Sequence, residues 1–261
     1  MSNLWNLLLY QPLLWSLIFL YKTLFNDFGL AILALTLIIR TVLIPLSMPA
    51  LKSAKKISDL KPHLDALKSK HGNDKQRLQA EQLRLYKEHG VNPLAGCLPT
   101  IAQFLVLIAL YQVFIFFLEN GKIDNVSINM NFLWMDLAKP DKTYVLPALA
   151  GITQFVLSLM MMPSASVLKE VGEKSNTNKN LSAETSNKTD KKENNEDMQE
   201  AIQKQMLFMM PAMTVFIGIS LPSGLALYWV ATTVFSLFQQ YFVTGLGGLR
   251  PYLVKAKILH N

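Results

Sequence analysis

The chain has 261 residues, 51% of them hydrophobic and 16% charged, with a formal net charge of +7. That balance argues against a water-soluble domain, because apolar runs of about 20 residues are what a bilayer core requires. The single cysteine, Cys97, excludes an internal disulfide. The four histidines lack metal-ligand spacing, so no metal site is expected.

Residues 4–21, LWNLLLYQPLLWSLIFLY, are apolar but interrupted by Asn6, Gln11 and Pro12. No basic residue precedes them and no small-residue cleavage site follows, which makes a poor secretory signal. Trp5, Tyr10, Trp15 and Tyr21 favour the headgroup region. Within the N-terminal segment 1–27, residues 11–25 are expected to form an interfacial helix, with an uncleaved span as the alternative. Five spans follow at 28–48, 94–118, 143–162, 206–221 and 224–244. Pro45 and Pro49 end the first. Leu221 to Gly224, LPSG, turn the fourth into the fifth as an antiparallel hairpin, and Gly245, Gly247 and Gly248 read as a helix stop.

Between the first two spans, Ile57, Leu60, Leu64 and Leu67 recur at helical spacing, His71 to Asp74 breaks the run, and Leu78, Leu85 and Tyr86 resume it. Residues 49–93 therefore read as a helical hairpin. Its basic face carries Lys55, Lys56, Lys61, Lys68, Arg77 and Arg84. Two readings stand: a solvated loop stiffened by its own packing, or an arm docking a ribosome, a targeting factor or anionic lipid headgroups. Residues 163–205 contain a long Asn/Ser/Lys-rich tract and are expected to be largely disordered.

Orientation comes from the loops. Residues 48–93 hold ten Lys/Arg against five Asp/Glu, whereas 119–142 hold three against four. The positive-inside rule places 48–93 and the basic tail 245–261 in the cytoplasm and 119–142 outside. Five spans then put the N-terminus outside, whereas a spanning 4–21 would put it inside without changing the rest.

Arg40 lies inside the first span, where a charge costs at least ~2.5–3.5 kcal/mol. None of the five spans holds an interior Asp or Glu to pair with it. Snorkelling to the surface is one outlet; facing water and neutral polar groups is the other. Such groups form stripes: Thr36, Arg40 and Ser47 on the first span, and Thr100 and Gln103 on the second. Gln154 and Ser158 follow on the third, then Thr232, Ser236 and Gln239 or Gln240 on the fifth. Stripes of this kind can simply glue helices together. With an unpaired arginine added, a hydrated groove is the better account, suited to receiving the polar, acid-bearing segment of a nascent protein. Methionines gather at Met160–Met162 and at Met206, Met209, Met210 and Met213. They read as gap-filling in the bundle or as an adaptable apolar surface.

At these residues the sequence resembles the YidC family of membrane protein insertases, related to the mitochondrial Oxa and chloroplast Albino proteins. The matching segments are QPLLW at 11–15, LIIRTVLIPL at 37–46, LYKEHGVNPLAGCLP at 85–99, FLWMDLAKPD at 132–141, YVLPALAG at 144–151 and LPSGLALYW at 221–229 with QQ at 239–240. The resemblance implies an all-α integral membrane fold: a five-span bundle with a hydrophilic groove, a cytoplasmic helical hairpin and an N-terminal interfacial helix. It implies a compact form without the large external domain of many Gram-negative members. Arg40 becomes the groove arginine, with Thr36, Gln103, Gln154, Thr233, Ser236 and Gln239 lining the groove. The expected activity is insertion and chaperoning of membrane proteins in a bacterial plasma membrane. Substrates would be nascent membrane proteins, handled alone or beside the Sec translocon, with membrane lipids and no specific nucleic acid as further partners. No cofactor is expected, since neither GxxxxGK[ST] nor GxGxxG occurs. The sequence departs from the family at Thr233, often Asn, and at Leu105, often Pro. A transporter using Arg40 as an anion site is the competing class, but no internal repeat supports it. An intramembrane enzyme lacks a nucleophile–base pair.

Overall fold

The computed structural model describes residues 3–71, 74–92, 97–120, 122–123, 126–162 and 196–255. Nearly all of them are helical. The N-terminal run passes from Asn3–Trp5 through a wide turn, Asn6–Tyr10, into α1 (Gln11–Thr23). Leu13, Leu17 and Tyr21 recur every fourth residue and are its buried stripe. Trp5 donates from Nε1 to Gln112 Oε1 at 2.8 Å, and the Tyr21 hydroxyl accepts from Asn129 N at 3.2 Å. Phe25 and Asn26 then take left-handed backbone, and Asp27 starts α2 (Phe28–Val42) by accepting from Leu30 N at 3.0 Å.

The expected first span, 28–48, does not end at Pro45 and Pro49: helix continues past both, with Pro49 inside it, and bends before Pro45. After α2 the chain bends by 64° at Leu43 and continues as α3 (Ile44–Asp59). Pro45 has no N–H to bond back one turn, and its ring crowds the preceding carbonyl, so the axis must change there. Thr36 and Arg40 therefore share a helix, while Ser47 sits on the next. Helix α4 (Lys61–His71) packs against α5 (Lys75–Glu88), which Asp74 caps by accepting from Arg77 N at 3.0 Å.

Helix α6 (Cys97–Asn120) is about 36 Å long at ~1.5 Å per residue. Among the described residues it supplies the one unbroken helix, Pro99–Glu119, long and apolar enough to cross a bilayer. The bent pair α2–α3 passes as a unit, and Val145–Met161 and Leu207–Ser220 are shorter apolar helices. Two short antiparallel ribbons follow: β1 (Lys122–Ile123) with β2 (Val126–Ser127), and β3 (Asn131–Phe132) with β4 (Met135–Asp136). The second pairs Asn131 with Asp136 and Phe132 with Met135. Then come α7 (Val145–Met161), α8 (Glu196–Ser220) and α9 (Ser223–Thr244), a one-turn helix Gly247–Leu249, and α10 (Arg250–Lys255).

Helix α8 begins ten residues before the expected fourth span, so 196–205 is helical rather than disordered. Its run of Gln, Glu, Ala, Lys and Met favours helix and carries the apolar segment's register outward. The rest of the Asn/Ser/Lys-rich tract, 163–195, lies outside the described residues. The expected α8–α9 hairpin does not form along its length. Both helices leave the Leu221–Pro222 turn and pack on α7 instead. Gly151 explains the close α7–α8 approach: a Cβ there would fall 2.3 Å from Val215 Cγ2. Past α9, Gly245 takes φ 75° and ψ −153°, a backbone conformation open essentially to glycine alone.

The core sits at one end, between α1, α2, α6, the start of α9 and the β3–β4 ribbon. Phe28 is its centre, with edge-on ring contacts to Tyr21 at 6.0 Å, Phe114 at 5.6 Å and Phe117 at 5.3 Å. We refer to this as the loop end, and to the opposite side, where α4 and α5 lie, as the hairpin end.

Candidate functional site

The loop end is closed by backbone as well as by rings. Ser223 N donates to Lys139 O at 2.8 Å, Ser223 Oγ to the same carbonyl at 2.7 Å, and Gly224 N to Leu137 O at 3.1 Å. The ribbon segment thus supplies acceptors for the otherwise unpaired first N–H groups of α9. Asp141 does the same for α7, accepting from Thr143 N, Thr143 Oγ1 and Leu146 N. Burial pushes the Asp141 carboxyl up, but these hydrogen bonds outweigh it and leave the group below the ordinary carboxylate range. Beside it, the hydrogen bond from Lys139 Nζ at 2.7 Å holds Asp136 low.

Toward the hairpin end the packing gives way to polar side chains. Arg40 occupies the last turn of α2, one turn beyond Thr36. Its Nε is inaccessible and has no hydrogen-bond partner among the described residues, and no ion pair there includes it. Tyr228 on α9 is close enough to interact with it electrostatically. Gln103 on α6 donates from Nε2 to the Tyr228 hydroxyl at 2.6 Å, tying α6 to α9 across the bundle. Three turns further along α9, Gln240 Oε1 is also buried without a partner among the described residues, and Thr232 Oγ1, one turn on, is buried against the Tyr228 hydroxyl. Gln239 Nε2 donates to Ser47 Oγ at 2.6 Å and pins α9 to α3.

The expected groove residues therefore separate. Arg40 and Gln103 converge on Tyr228, whereas Gln239 belongs to the α3 contact. Thr36 is fully buried and spends its hydroxyl on Ile32 O at 2.7 Å. Thr233 and Ser236 likewise bond their own helix, to Trp229 O and Thr232 O. Gln154 is half-buried on α7, with no hydrogen bond to this cluster among the described residues. Sequence reasoning missed Tyr228. The available signal was the four-residue repeat Tyr228, Thr232, Ser236, Gln240, which places the tyrosine at the head of the α9 stripe.

Two buried polar atoms without partners among the described residues, Arg40 Nε and Gln240 Oε1 on two helices, are the property that matters chemically. Each left unsatisfied would cost about 1–3 kcal/mol, more for the guanidinium. Groups of this kind require water or a polar guest.

On the hairpin arms, Lys55 and Lys56 are exposed on α3 and Arg77 on α5. Lys61 is half-buried and already engaged, and the side chain of Lys68 lies outside the described residues. Arg84 is paired with Glu88 at 2.8 Å and with Glu81 at 3.9 Å. The methionine cluster divides as well. Met160 is buried, but Met209, Met210 and Met213 are exposed beside Phe208 and Phe216. Among the described residues α8 packs chiefly against α7, which leaves these three on its exposed face.

Comparison with known proteins bears on this arrangement. The family described as 60Kd inner membrane protein matches residues 19–247. A protein of Fusobacterium nucleatum named membrane protein insertase YidC is 35% identical over 222 residues, which cover 85% of this chain and 88% of that one. One of the same name from Alkalihalophilus pseudofirmus is 34% identical over 248 residues, 92% and 82% of the two chains. A third, membrane protein insertase YidC 1 of Listeria monocytogenes, is 30% identical over 246 residues, 93% and 72%.

Proposed function

The chain belongs to the 60Kd inner membrane protein family, that of the YidC insertases it matches, and we propose that it is a membrane protein insertase of a bacterial plasma membrane. The observation that carries the mechanism is the partnerless Arg40 beside Tyr228 and Gln103, at the edge of a packed core. The polar segment of a nascent membrane protein enters from the hairpin end and takes up the hydrogen-bonding capacity of Arg40 and Gln240. At about 4 Å and an effective dielectric near 20, an arginine–carboxylate attraction is ~4 kcal/mol. Desolvation offsets much of it, so the contact is transient.

Release is driven by the substrate itself. A span of about 20 residues at roughly −0.3 to −0.6 kcal/mol each yields ~6–12 kcal/mol on entering lipid. The scheme needs no nucleotide and no covalent step. The closed loop end keeps the polar region from becoming a pore.

In this reading the five spans are the α2–α3 pair, α6, α7, α8 and α9. The positive-inside rule sets the hairpin arms and C-terminal tail in the cytoplasm and the ribbons outside. Nascent membrane proteins are the substrates. The exposed Lys55, Lys56 and Arg77 suit a ribosome, a targeting factor or anionic headgroups, and the lipid-facing helices suit the Sec translocon.

The test is protease-protected insertion of a short single-span substrate with an acidic N-terminal tail into proteoliposomes. Wild type is expected to exceed empty vesicles, and Arg40→Ala to fall back toward them. Equal insertion by both would remove Arg40 from the mechanism. Failure of the wild type across several substrates would sink the insertase reading.

A further inference from the structure

Four non-glycine residues have positive φ among those described: Phe25 at 54°, Asn26 at 55°, Leu133 at 53° and Tyr144 at 57°. All lie at the loop end. Bulky side chains avoid this left-handed region, which the surrounding structure must impose. Three of the four are large and apolar or aromatic, and they point outward: Phe25 is 89% exposed, Leu133 74% and Tyr144 58%. Trp134, next to Leu133, is 55% exposed.

The first turn and the ribbon tip are brought together by packing. Phe132 lies over Gly29, where a Cβ would fall 2.2 Å from its ring, and Asn129 N donates to the Tyr21 hydroxyl. The α1–α2 turn holding Phe25 and the β3–β4 turn holding Leu133 and Trp134 thus sit side by side. A well-packed core stands directly beneath them, yet the chain turns these side chains away from it.

We propose that this tip is a membrane-seating surface, inserted at the boundary between headgroups and acyl chains of the leaflet at the loop end. Three features select phospholipid as the occupant. Exposed apolar side chains follow the tip on both sides, Val145, Leu149 and Ile152 of α7 after Tyr144, and Leu30 and Leu37 of α2 after Phe25. In the bilayer placement proposed above, these exposed apolar faces of α2 and α7 meet lipid. Tryptophan and tyrosine favour this boundary, presenting a ring to hydrocarbon and a polar edge to headgroups. Among the described residues the acids beside the tip are engaged, Asp27 by Leu30 N, Asp136 by Lys139 and Asp141 by Thr143 and Leu146. The seat fixes the depth of the closed end of the bundle and holds the ribbon on α2.

The proposal rests on the bilayer placement above but not on its orientation, and one experiment separates the two. Nitroxide labels are placed by Leu133→Cys and, separately, Tyr144→Cys, each in a Cys97→Ser background, in phosphatidylcholine–phosphatidylglycerol nanodiscs. Ile108→Cys, on the exposed face of α6, reports the bilayer, and Gln79→Cys, on α5, reports water. Both tip positions are expected to show oxygen accessibility at least twice that toward a water-soluble nickel chelate, as at 108 and unlike 79. If 108 reads lipid while 133 and 144 read water, the seat is wrong and the tip faces solvent or a protein partner. If 108 also reads water, the bilayer placement itself fails and the seat with it.

Discussion

The two ends of this bundle solve opposite problems with the same helices. At the loop end, α2, α6 and α9 meet through Phe28, Phe114, Phe117 and Leu225, and glycines let backbone and ring approach closely. Further along α2 and α6 the same three helices meet through Arg40, Gln103 and Tyr228, and among the described residues Arg40 Nε and Gln240 Oε1 go without partners. The first arrangement is complete within the chain. The second is finished only by something from outside it. A bundle that was dry throughout would be more stable but would offer a polar substrate nothing; one that was polar throughout would leak.

This contrast can be broken in a definite order. Arg40→Ala should have the largest effect, on activity alone. Insertion should drop at least tenfold, while the melting temperature in detergent holds or rises, because a cation costing ~2.5–3.5 kcal/mol to bury has gone. A fall in both together would make Arg40 a structural residue. Gly224→Val should do the reverse. A Cβ there meets the Phe114 ring at 2.0 Å, so overpacking of about 1–3 kcal/mol should lower the melting temperature by several degrees. Insertion per folded molecule should be unchanged.

Tyr228→Phe tests where one regime passes into the other. It removes the acceptor of the Gln103 amide, which costs about 1–3 kcal/mol if the amide stays dry. Adding Gln103→Leu should recover most of that loss, giving a measurable coupling in a double-mutant cycle. If Tyr228→Phe alone is neutral, water reaches Gln103 and the polar region extends that far.

The smallest effect is expected at Asp141, where Asn substitution should cost about 1 kcal/mol, as for other lost caps. Its sign with pH is fixed by the depressed folded-state pKa. The contribution is fully present above the unfolded value near ~3.9 and is lost as pH falls through the lower folded value. Melting below pH 4 should therefore destabilise the wild type more than Asp141→Asn. Parallel curves would mean that the cap is not ionic.

Much of the site was legible in the sequence because charge inside an apolar run is costly wherever it occurs. Arg40 needed no coordinates, and nor did the absence of an acid on its own or neighbouring spans. The polar stripe of α9 was legible from spacing alone. Tyr228 was not, because a tyrosine among apolar neighbours looks like packing until the Gln103 amide is seen 2.6 Å from its hydroxyl. Where the hydroxyls of Thr36, Thr233 and Ser236 donate was hidden for a related reason. Sequence shows a hydroxyl but not that its own helix already accepts it.

The sequence by itself determined the membrane class, the family, the basic hairpin and the buried cation, since these rest on composition, order and local period. Two things were left to the tertiary structure. They are the insertion of α7 between α8 and α9 and the grouping of partnerless polar atoms below a sealed core. Each depends on which faces meet across more than 60 residues of chain. Helical periodicity says which residues share a face but nothing about which face they oppose.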